Sequence, residues 1–108
     1  MSNAMTLDDI RAAANAKYGS FDISLGELNV RLLNPLRMPK KNRDALMATQ
    51  EKLGADDADQ EALLKEALNL VAETPAQAKA LLKEVGDDLA VLATIFEGYV
   101  KGTQAGEA

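Results

Sequence analysis

The chain has 108 residues, a formal net charge of −5, no cysteine, no histidine and only 4% aromatic residues. That balance disfavours wholesale nucleic-acid binding and leaves the fold without disulfide support. It also removes imidazole and thiol chemistry, and with it almost every zinc, copper or haem site.

Met1–Ala4 reads as an expression scar, so Met5 is the expected natural start and residues 5–101 the expected single domain. Thr6 precedes Leu7-Asp8-Asp9 as a helix cap followed by acids that suit the positive first turn. Leu7, Ile10, Ala13 and Ala14 form a helical stripe that ends at Lys17-Tyr18-Gly19. So short a helix frays alone, and its expected task is to cover part of the apolar face that follows.

That face belongs to residues 21–32. Phe21, Ile23 and Leu25 alternate with Asp22 and Ser24, and Leu28, Val30 and Leu32 alternate with Asn29 and Arg31. Gly26-Glu27 between them suits a type II′ turn. The implied register pairs Leu25 with Leu28, Ile23 with Val30 and Phe21 with Leu32. Asp22 then meets Arg31 on the other face, and all six apolar residues share one side. An isolated hairpin is marginal, so helices or another chain must cover it.

Residues 33–53 form a basic segment and a helix. Asn34-Pro35 reads as a turn, and Pro39 as the first position of a helix that stops at Gly54. Arg31, Arg37, Lys40, Lys41 and Arg43 occur here without an intervening acid. Cations at a helix N-terminus oppose its dipole, so the placement is not explained by helix stability. Arg37, Lys40, Lys41 and Arg43 are therefore candidate docking residues for an acidic partner, against the plainer reading of a solvated loop and helix start.

Residues 55–59 form an acidic linker. Its spacing resembles the opening of an EF-hand, but Ala62 stands where the loop needs Gly and Leu68 where it needs a bidentate Glu. Residues 59–101 read as three helices: one to Glu73, one opened by Thr74-Pro75 and closed by Gly86, and one capped by Asp87. Short links predict antiparallel neighbours. Ile95, Phe96 and Tyr99 on the last helix are either core or contacts to a partner helix or second subunit. Val91 widens that helix's apolar face beyond one stripe, and residues 102–108 read as a flexible tail. The fold class is thus α+β, mainly α: an N-terminal helix and a two-stranded antiparallel β-hairpin, then about four helices.

No phosphate-binding glycine motif is present, and each paired carboxylate has a capping or solvation role. Catalytic, metal and cofactor residues are accordingly none, an enzyme is not expected, and no stretch reaches membrane-spanning length. A cytoplasmic protein is the default expectation. One reading is a small helical adaptor or regulator that dimerises and docks protein or DNA through the basic segment.

The second reading comes from a resemblance. Residues 21–53, with strand residues leading into Leu33-Asn34-Pro35-Leu36-Arg37 and Pro39-Lys40-Lys41-Asn42-Arg43 opening a helix, resemble the small tail assembly chaperones of long-tailed bacteriophages, particularly of actinobacterial phages and prophages. The resemblance implies a non-enzymatic protein that keeps the long helical tape measure protein soluble while the tail tube assembles. It further implies contact with the tape measure protein, with the tail tube protein as a second candidate partner, and self-association into a homo-oligomer, with no nucleic acid and no membrane as partner.

Overall fold

The computed structural model describes residues 5–103, and the fold is α+β, mainly α. Residues 1–4, expected to be a scar, and residues 104–108 of the expected tail lie outside the described residues.

Helix α1, Leu7–Lys17, opens with a reciprocal capping box: the Asp9 amide donates to the Thr6 hydroxyl at 3.0 Å and the Thr6 amide to the Asp9 carboxylate at 3.3 Å. It buries no residue, and Leu7 and Ile10 are 59% and 49% exposed. This corrects the expectation that α1 covers the hairpin. Much of that face is taken instead by later helices, with α4 on β2 and α5 on β1.

The hairpin comprises β1, Phe21–Leu25, and β2, Leu28–Leu32, in the register the alternation dictates. Gly26 has φ +62° and no non-glycine residue among those described has positive φ, which fits a II′ turn and excludes I′. The Arg31 guanidinium lies 3.4 Å from Asp22 across the strands and 3.9 Å from Glu73. The outer edge of β2 is closed by the chain itself. The Leu33 amide donates to the Val71 carbonyl at 2.7 Å, the Glu73 amide to the Arg31 carbonyl at 2.8 Å, and Gln77 accepts from the Arg31 amide at 2.7 Å.

Beyond β2, Asn34 caps a 3₁₀ turn, Pro35–Arg37, and leads to helix α2, Lys40–Leu53. Pro39 stands at the cap of α2, one place before its expected position. Helix α3, Gln60–Val71, ends two residues short of Glu73 because Ala72 turns extended to bridge Leu32. Helix α4 is Pro75–Val85, capped by Thr74 and stopped by Gly86 at φ +64°. Helix α5, Leu89–Thr103, is capped by Asp88, whose carboxylate accepts from the Val91 amide at 3.2 Å. The expected cap, Asp87, instead reaches Lys65 at 2.7 Å. Gly102 and Thr103 belong to α5 and not to the tail.

α3 is the hub: α2, α4 and α5 all pack on it, while α4 also meets β2 and α5 meets β1. Val30 and Leu32 from the hairpin, Leu68 and Val71 from α3, Leu81 from α4 and Leu92 from α5 are at most 1% exposed. They form one continuous core.

Candidate partner-binding groove

The hairpin and α5 are held together at the C-terminal half of that helix. A Cβ on Gly98 would lie 3.0 Å from the Phe21 ring, and one on Gly102 would lie 3.3 Å from it. The two glycines, four residues apart on one helix face, form a notch that seats the ring against the α5 backbone. Nearby, the Tyr99 hydroxyl donates to the Leu33 carbonyl at 2.8 Å, and the Asn34 amide donates to the Thr103 carbonyl at 3.0 Å. Burial holds the Tyr99 phenol well above its ordinary range, so the hydroxyl stays a donor.

Toward its N-terminus α5 leaves β1 uncovered. Phe21 and Ile23 form one wall and Ala90, Val91, Thr94 and Ile95 the other of an apolar groove of about 360 Å³. The helix residues fall at i, i+1, i+4 and i+5, a single side of α5. Ala90 and Thr94 keep that side shallow. The Thr94 hydroxyl donates to the Ala90 carbonyl at 2.7 Å, so its donor is consumed within the helix. Val91 is 41% exposed beside the equally open Leu89.

Of the apolar residues predicted to touch a partner, only Ile95 lines this groove. Phe96 is half-buried and stacks on Tyr99 with ring centroids 5.9 Å apart. Tyr99 is 1% exposed and is a core residue. Phe21, Ile23, Ala90 and Thr94 were not legible as site residues, because alternation and helical spacing assign apolar positions to a core without saying where it is left open. The second apolar stripe marked by Val91 was the available signal.

The basic residues do not gather at the groove. Lys40 pairs with Asp44 at 2.8 Å and holds that carboxyl below its usual range. Lys41 and Arg43 follow on the first turn of α2. Arg37 lines a separate polar hollow of about 440 Å³ with Arg31, Asn34, Tyr18 and Glu73. Arg37, Lys41 and Arg43 make no ion pair among the described residues. Nor do the described residues bring together three His, Cys, Asp or Glu side chains able to hold a metal ion, or any helix long and apolar enough to cross a membrane.

Comparison with curated proteins and with solved structures finds no match. A family sequence model described as mycobacteriophage tail assembly protein matches residues 1–108, the full span of the chain. The strand–turn–basic-helix order of residues 21–53 falls inside that match, and the chain belongs to the mycobacteriophage tail assembly protein family.

Proposed function

We propose that the protein is a non-enzymatic tail assembly chaperone, acting in the host cytoplasm, that holds helical segments of the tape measure protein. The observation that carries this reading is the open apolar groove between β1 and α5. A helix-binding surface needs apolar anchoring sites for side chains at i, i+3 or i+4 and i+7, and a firm wall to receive them. Phe21, fixed in its glycine notch, supplies such a wall. Arg37, Lys41 and Arg43, unpaired by neighbours, steer acidic client segments toward the domain without contributing to the groove.

Co-expression with the tape measure protein tests the reading. The chain is expected to raise the soluble yield of the client and to co-purify with it. Val91→Glu, which places a charge on the groove wall, is expected to abolish both while the variant keeps its helicity. Unchanged client recovery with Val91→Glu overturns the groove as the client site. A DNA mobility shift that weakens steeply with salt favours the adaptor reading instead.

A further inference from the structure

We infer that two copies of this chain associate by exchanging their N-terminal helices, each α1 lying in the β1–α5 groove of the other. Two unpartnered apolar surfaces of matching kind stand on the same molecule. One is the stripe of Met5, Leu7 and Ile10, exposed by 57%, 59% and 49%. The other is the groove walled by Phe21 and Val91. A capped helix with an apolar stripe and no covering surface in its own chain is incomplete, since packing of that face supplies most helical stability in proteins.

The base of α1 argues against closure within one chain. Tyr18, its C-cap, is half-buried and lines two hollows with Asn34, one of them beside Tyr99 and Thr103 at the C-terminal end of α5. The groove lies at the N-terminal end, and Val91 and Thr103 are separated along the helix by about 18 Å. Folding α1 back over its own groove pulls Tyr18 from that seat. Reaching a second molecule leaves it in place.

Area decides between a one-way and a reciprocal contact. At about 100 Å² each for Met5, Leu7 and Ile10, with an equal area of groove, one docked helix buries roughly 600 Å². Specific interfaces begin near ~1,000 Å², and two reciprocal dockings give about 1,200 Å². The exchange is therefore two-fold and closed. It stands without the client reading. Where that reading also holds, α1 and a client helix exclude each other from the groove.

Sedimentation velocity on the full chain, with no client present, tests the exchange. The wild type is expected to show a monomer–dimer equilibrium at micromolar concentration. Ile10→Glu and, separately, Val91→Glu are each expected to weaken it at least tenfold with unchanged circular dichroism. The pair Ile10→Lys with Val91→Glu is expected to restore it. Should Val91→Glu lose helicity, Thr94→Arg takes its place. A wild type that stays monomeric up to about 200 μM overturns the inference, as does an Ile10→Glu dimer of undiminished strength. Because the readout contains no client, its failure leaves the co-expression result untouched.

Discussion

Gly98 sits in the interior of α5, where glycine costs roughly 1 kcal/mol relative to alanine. The Phe21 ring explains its presence: a Cβ there would meet the ring at 3.0 Å, and the same ring lies 3.3 Å from the Cβ position of Gly102. A Cβ at either position presses on the ring, which must shift by a few tenths of an ångström to make room. Gly98→Ala is expected to lower stability by about 1 kcal/mol in the wild type and to raise it by about 1 kcal/mol in a Phe21→Ala background. Chemical denaturation of the four proteins of that cycle checks it, and equal effects in both backgrounds would remove the notch from the account. The sequence displays two glycines four apart, but nothing in it names the ring that uses them. That pairing joins residues at opposite ends of the chain and belongs to tertiary structure alone.

Elements with local causes were legible. The hairpin register follows from period-two alternation and a two-residue glycine turn, and each of its pairs is observed. Helix starts at Thr6 and Thr74 follow from capping chemistry. The misplacements involve contacts across the chain. α3 stops early because Ala72 bridges Leu32, and Asp88 caps α5 because Asp87 is drawn to Lys65. Lys65 bonds both Asp87 and, within α3, Glu61 at 3.4 Å, and so clips α3 to the turn before α5. The hydrogen bond to Asp87 raises the Lys65 pKa above 10.5, and the bond from Lys65 lowers that of Asp87 below 3.8. A depressed carboxyl stabilises the fold above its unfolded value and loses that contribution as pH falls through the folded one. The raised ammonium stabilises below 10.5 and loses its contribution as pH climbs through its folded value. The stability difference between wild type and Asp87→Asn is thus expected to be flat from about pH 5 to about pH 9 and to fade in acid as pH falls below 3.8 and through the lowered folded value. Asp87 is exposed and Lys65 only half-buried, so the difference is small and shrinks with added salt. Thermal melts across pH and ionic strength measure it, and a difference that persists at pH ~2 contradicts the clip.

The whole molecule is longer than its size requires. Its radius of gyration is 15.7 Å, with extents of 59 × 35 × 24 Å, where a compact chain of this length has about 13 Å. Helix α1 buries no residue and adds length without adding to the core. Composition and pattern give a helix there but not its direction, since an amphipathic stripe says that something must cover it and not what. Removing residues 1–17 is expected to shift the thermal midpoint by no more than about 2 °C at concentrations where the chain is monomeric, because the core contains none of them. A larger loss would place α1 in the folded body. The remaining ties run between distant parts of the chain: Leu33 to Tyr99 and Asn34 to Thr103 join residues 66 and 69 positions apart. During synthesis, at ~5–20 residues per second, β2 leaves the ribosome roughly 4–14 s before the helix that completes its surroundings. For that interval the apolar side of the hairpin has no α5 to lie against. A protein proposed to keep another chain soluble therefore begins its own life as a nascent chain with an uncovered sheet, and its safe folding depends on the last helix to be made.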